Sequence, residues 1–129
     1  MPVAVTPAYA GLLTLLYLVL SLRVIGRRHA LRVALGDGGD EVLMRRQRAH
    51  ANFVEYAPLG LVLLALAELN GVAAWGLHAI GAALLAGRAL HGYGISRTPE
   101  RLAFRSAGMV LTFGALLAAA AVNLAPAWA

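Results

Sequence analysis

The chain contains no cysteine and no lysine. Without cysteine it has neither a disulfide framework nor a cysteine nucleophile. Without lysine, all 11 basic side chains are arginines. Arginine is the residue suited to holding a carboxylate or phosphate in a fixed planar fork beside lipid, although a high-GC genome would produce the same bias. Charge of either sign is scarce: charged residues make up 13% of the 129 residues and hydrophobic residues 60%. That is too apolar for a soluble domain of this size. The length is that of one domain, and the composition is that of an integral membrane protein. A net charge of +5 could suggest nucleic acid, but the arginines stand at the ends of apolar spans, which argues against a nucleic-acid partner. No positive charge precedes the first apolar stretch, so a secretory signal peptide is not expected. There is no internal repeat. Beyond the polar stretch that opens the second span and His78 in the third, no span carries the run of polar residues that a permeation path would need, and no metal site is expected.

Four membrane-spanning helices are predicted, at about residues 6–32, 41–69, 72–96 and 99–125, in one domain covering residues 1–129. Thr6 and Pro7 read as an N-cap followed by proline in the first helical position. The apolar stretch after them approaches the ~20 residues a bilayer requires, and Arg23 can snorkel from its end. A basic cluster follows (Arg27, Arg28, His29 and Arg32), then the acidic, glycine-rich residues 36–40, which should be exposed and mobile. Pro58 is expected to kink the second helix, and Asn70-Gly71 to make a tight turn. The third span is rich in small residues (Gly71, Ala74, Gly81, Ala82, Ala83, Ala86 and Gly87), which lets helices approach closely in lipid. Its His78 is expected to make a structural hydrogen bond or to face a subunit interface. Pro99 fits the start of the fourth helix.

The polar stretch 45–58, RRQRAHANFVEYAP, runs directly into an apolar segment. At ~3.6 residues per turn, Arg45, Arg48, Asn52, Glu55 and Leu59 fall in one vertical stripe, with His50 on roughly the opposite side. Counting back ~20 residues from Leu69 places Asn52 and Glu55 at membrane depth. Ionisable groups there are costly and by default mark function. A buried Glu55 should be protonated or paired with an arginine such as Arg48. The stripe suits a small, doubly anionic molecule bearing an amino group. Arginine forks would take its carboxylates, Glu55 its ammonium and Asn52 a peptide unit; a phospholipid headgroup meets the same description. An arginine beside a bound thiol would favour the nucleophilic thiolate.

Every arginine lies in the first-to-second or third-to-fourth connection or the adjoining helix ends. By the positive-inside rule both basic connections are cytoplasmic and both termini face out.

The motif R-x-x-R-A-H-x-N-x-x-E-x-x-P (Arg45, Arg48, Ala49, His50, Asn52, Glu55 and Pro58) resembles the signature of the MAPEG family, the membrane-associated proteins of eicosanoid and glutathione metabolism. Span count, the arginine cluster after the first helix and an arginine-histidine pair ending the third extend the likeness over essentially the whole chain. The short length is similar to the bacterial branch. The resemblance implies an all-α four-helix bundle assembled as a homotrimer in the bacterial inner membrane. Glutathione would bind between subunits near the cytoplasmic side, and a lipophilic electrophile would arrive from the bilayer.

Carried over by position, the implied glutathione ligands are Arg28, Arg48, His50, Asn52, Glu55 and Tyr56. His91 and Tyr93 come from the third helix, where two registers compete: one aligns Arg88 and His91, the other Gly92-Tyr93. Arg101 is the implied thiol-activating residue, with Arg105 and Arg97 as alternatives. The expected activity is a glutathione transferase or peroxidase acting on lipophilic electrophiles or lipid hydroperoxides. The alternative is a non-catalytic trimer holding lipid headgroups or another small anion in the same pocket. His29 stands where the leukotriene synthase has an arginine, which weakens a leukotriene-type reading.

Overall fold

A computed structural model describes residues 2–125. These residues form four α-helices: α1 (Val5–Leu31), α2 (Glu41–Leu69), α3 (Ala74–Ser96) and α4 (Leu102–Leu124). The chain is all-α, as its apolar spans require. Helices α2 and α3 each touch the other three, whereas α1 and α4 do not touch each other. The bundle is therefore a central α2–α3 pair with one helix on each flank.

Helices α1, α2 and α4 are long and apolar enough to cross a membrane. The fourth expected span, α3, has the length, since 23 residues cover ~35 Å at 1.5 Å per residue. It lacks the apolarity because it carries His78, Arg88 and His91. Arg88 and His91 are buried inside the bundle, and His78 is tied to α1 through Tyr9, whose hydroxyl lies 2.9 Å from its Nδ1. The apolar exterior is supplied by the flanks: Leu15, Val19 and Leu22 on α1, and Val110, Phe113 and Leu117 on α4, are all exposed. The interior is built from Leu13 and Leu20, Phe53 and Leu64, Leu77 and Leu84, and Ala115 and Ala119. Lipid is as apolar as these side chains, so close packing and interhelical hydrogen bonds hold such a bundle.

The start of α1 departs from expectation. Its N-cap is Ala4, which makes no side-chain cap, and Thr6 and Pro7 lie inside the first turn. Glu68 does the capping from the far end of α2: its carboxylate accepts the backbone N–H groups of Ala4, Val5 and Thr6 at 2.5, 2.6 and 2.7 Å. A partner reaching across from another helix thus moves the helix start ahead of the Thr-Pro signal.

At the other end, Asp40 caps α2 by accepting from Leu43 N–H at 2.8 Å, and Arg27 donates to both its oxygens at 2.9 and 2.8 Å. The glycine-rich connection is held as well, because Arg28 and Gln47 both donate to the Gly36 carbonyl at 2.8 Å. Helix α2 runs unbroken through Pro58. After Asn70, Gly71 takes a φ of +82° and its N–H returns to the Glu68 carbonyl, closing the expected tight turn. Pro99 falls outside α4, which begins at Leu102 with Arg101 as its N-cap. The α3–α4 connection is pinned first: Arg101 N–H donates to the Gly94 carbonyl at 3.1 Å.

Helices α3 and α4 approach backbone to backbone. A Cβ at Gly94 would lie 2.8 Å from the Arg101 carbonyl oxygen, and one at Gly108 would lie 2.6 Å from that of Gly87. Only glycine permits that approach.

Candidate functional site

The face of α2 that turns into the bundle carries Asn52 and Tyr56, one helical turn apart. Opposite them on α3 is Arg88, 2% exposed. One Arg88 Nη1 proton goes to the Asn52 side-chain oxygen and the same nitrogen lies 3.3 Å from the Asn52 carbonyl. Arg88 Nε donates to Thr112 Oγ1 on α4 at 3.0 Å, and Nη2 lies 3.2 Å from Met109 Sδ. The guanidinium stands over the Tyr56 ring, 5.2 Å from its centroid, a cation–π placement. Tyr56 in turn meets Phe113 edge-on at 5.6 Å. Three helices are therefore joined at one polar point, and the glycine approach of α3 to α4 brings Thr112 within reach.

Arg48 and Glu55 flank that point on the outer side of α2. Glu55 is exposed and bonds to no partner among the described residues, so it is neither buried nor paired with Arg48 as expected. The reason is helical phase. Glu55 lies ~60° around the helix from Asn52, on the side away from Tyr56, and it is Tyr56 that α3 covers. Arg48 is likewise exposed without a partner among the described residues.

Arg45, at the end of the stripe, bonds to Glu41 at 3.1 Å, to the Ile95 carbonyl at 3.2 Å and to Glu100 at 3.3 Å. Arg105 donates to the same Glu100 at 2.6 Å. The Arg105 hydrogen bond, with Arg45 adding to it, holds the Glu100 carboxyl below the usual range. Arg45, Arg48, Glu100 and Arg105 line a cavity of about 330 Å³ with Met44 and Ile95. Its rim has more positive than negative charge, which suits an anion.

The remaining expected residues are dispersed. His50 points toward α1, its Nε2 3.1 Å from Ser21 Oγ and its ring 5.1 Å from that of Tyr17. Arg28, held to Gly36, lines a separate depression of about 390 Å³ with His29 and Arg32. His91 is buried one turn beyond Arg88. Tyr93 is exposed, edge-on to Phe104 at 5.6 Å with the Arg97 guanidinium 5.4 Å from its ring centre. Arg101 contributes its backbone to the α3–α4 connection, and its side chain is exposed. One chain thus assembles Asn52, Tyr56 and Arg88, with Arg48 and Glu55 beside them, and leaves Arg28 and His50 on another face. The sequence placed Arg88 at the end of the third span, paired with His91 in one of the two registers, whereas the structure buries it among three helices. Its tie to Asn52 was not visible.

The MAPEG family matches this chain over residues 6–125. The chain belongs to the MAPEG family. It is also 42% identical over 120 residues to the inner membrane protein YecN of Escherichia coli (strain K12), an alignment covering 93% of this chain and 90% of YecN. The protein of that name from Escherichia coli O6:H1 matches to the same extent. The chain is thus a MAPEG membrane protein. The helix bearing the family-like motif, α2, is the one that supplies Asn52 and Tyr56 to the three-helix junction.

Proposed function

We propose that this protein is a glutathione-dependent enzyme of the bacterial inner membrane, a transferase or peroxidase acting on lipophilic electrophiles or lipid hydroperoxides. The observation that carries the reading is the pair of oppositely charged side chains, Arg48 and Glu55, without partners among the described residues and beside the anchored Asn52. A cation, an amide and an anion within two helical turns complement a ligand bearing carboxylates, a peptide unit and an ammonium group. Arg48 takes a carboxylate in a two-pronged grip, Asn52 bonds the peptide unit, and Glu55 receives the ammonium.

Following the family resemblance, Arg101 holds the sulfur as thiolate, with Arg105 the alternative on the cavity wall. The thiolate attacks an electrophilic carbon, forming a carbon–sulfur bond as the leaving group departs with its electron pair. With a hydroperoxide, two glutathione molecules supply two electrons and two protons; alcohol and water form as the sulfurs join in a disulfide.

The separation of Arg28 and His50 from the stripe supports a homotrimer in which one subunit offers the α1 side and its neighbour the α2–α3 side. Two copies would unite the residues that one copy holds apart. By the positive-inside rule both basic connections would face the cytoplasm, where glutathione is available.

The test is calorimetric titration of glutathione into detergent-purified protein, beside Arg48→Ala and Glu55→Gln. Binding should weaken at least about tenfold in each, the effect of losing one charged hydrogen bond. A wild-type protein that gives no heat and copurifies with phospholipid would move the pocket to headgroups and end the enzymatic reading.

A further inference from the structure

Arg88 is a buried cation that, among the described residues, has no carboxylate as a hydrogen-bond partner. They are Thr112 Oγ1, the Asn52 backbone and side-chain oxygens, and Met109 Sδ. A guanidinium has donors and no acceptor. The end of the Asn52 amide facing it is therefore the oxygen, because the NH₂ end would set donor against donor. The same rule fixes Thr112. Its hydroxyl proton goes to the Gly108 carbonyl at 2.8 Å, which leaves an oxygen lone pair for Arg88 Nε. Donors thus run outward from Arg88 in both directions, and the Asn52 NH₂ is left at the open end of the amide. It has no partner among the described residues, yet it is not one of the buried polar atoms lacking one, so it reaches the surface.

We propose that Arg88 is a positioning residue that locks the Asn52 amide with its NH₂ outward, so that the site offers its ligand a donor at this point and selects a carboxylate or peptide carbonyl oxygen. This deepens the glutathione reading and rests on it. An asparagine that is free to turn would accept a ligand N–H as readily as it donates to an oxygen. Locked, it rejects ligands that place a donor there, because two opposed donors leave both unsatisfied. Lone Arg48 and Glu55 set the ligand's charge pattern, and Asn52 sets the polarity of the uncharged unit between them.

The experiment combines glutathione calorimetry with thermal unfolding of the full-length protein in detergent. Asn52→Asp removes both donors and keeps an acceptor for Arg88. It is expected to lose about a hundredfold in glutathione affinity while its unfolding midpoint stays at or above that of the parent. Arg88→Met, which frees the amide, should cost about tenfold in affinity, and Arg88→Gln, which restores one neutral donor toward Asn52, should recover part of that. Asn52→Asp binding within about threefold of the parent, or Arg88→Gln no better than Arg88→Met, would overturn the proposal. If the parent itself fails to bind glutathione, the glutathione reading falls, and the amide's orientation is judged on stability alone. Asn52→Asp should then raise the midpoint when Arg88 is present and lower it in the Arg88→Met background. The same sign in both backgrounds would overturn the locked amide.

Discussion

The α3–α4 seam and the α1–α2 seam are built on opposite plans. Helices α3 and α4 touch through backbone, with Gly87, Gly94 and Gly108 at the contact and the Arg88–Thr112 bond beside it. Helix α1 is fastened to α2 at its two ends, by Glu68 at one and by Arg27 with Asp40 at the other. Between those fastenings the two helices leave a largely apolar groove of about 330 Å³, bordered by Thr14, Tyr17, Phe53 and Pro58. One seam has no space to give and the other has space in reserve. The polar junction of Asn52, Tyr56 and Arg88 sits against the rigid seam, where a displacement of an ångström would break several hydrogen bonds at once.

The contrast is sharpest in substitutions that add volume. At Gly108 a side chain meets the backbone of Gly87 and His91, atoms that cannot rotate aside. Gly108→Leu should therefore destabilise the protein by about 3 kcal/mol or more and separate Arg88 from Thr112, read as a lowered unfolding midpoint in detergent. Gly92, on the side of α3 that faces α1 and away from the α3–α4 seam, is the control: among the described residues a Cβ there meets only the Leu20 side chain, at 3.5 Å. Gly92→Ala should change stability by less than about 1 kcal/mol. Equal effects at the two positions would dissolve the distinction.

The end fastenings come next in size. Glu68→Gln keeps one oxygen for the α1 amides but loses the charge that three of them share. A loss of about 1–2 kcal/mol is expected, from the typical worth of charged hydrogen bonds, with hydrogen exchange rising first at residues 4–6. Thr14→Val should be close to neutral, within about 0.5 kcal/mol. Among the described residues its hydroxyl bonds only to the Ala10 carbonyl one turn back, and the groove beside it accepts a methyl.

The gentlest probe is acid. Arg27, with help from the Leu43 N–H, lowers the Asp40 pKa from 3.8 to about 2. A carboxyl depressed in the folded state contributes stability that is complete above about pH 4 and is lost as the pH falls toward 2. Proteolysis within residues 33–40 should rise over that window in the parent and already be high at neutral pH in Asp40→Asn.

The helices were legible in the sequence because lipid imposes a length and an apolarity that few soluble segments share. The stripe was legible because helical spacing alone puts Arg48, Asn52 and Glu55 together. What spacing could not supply was rotation. Whether Glu55 or Tyr56 follows Asn52 into the bundle depends on where α3 lies, and nothing within α2 states that. The start of α1 was misplaced for a related reason, since its capping group arrives from Glu68, more than sixty residues downstream. The glycines of the α3–α4 seam were visible as small residues in α3, but Gly94 and Gly108 acquire their meaning only as a facing pair. The expected alignment at the start of α4 stays divided, with Arg105 on the cavity wall and Arg101 exposed beside the connection.

The Glu68 cap also bears on how the chain enters the bilayer. Backbone amides at a helix end have no water to turn to once they pass into hydrocarbon, and an unsatisfied one costs several kcal/mol. In the folded chain those of Ala4, Val5 and Thr6 find their acceptor in Glu68, which arrives with the far end of the second helix. The first helix is thus incomplete as a lone passenger in the membrane. The two helices become stable together, as a hairpin whose closing act joins the beginning of one to the end of the other.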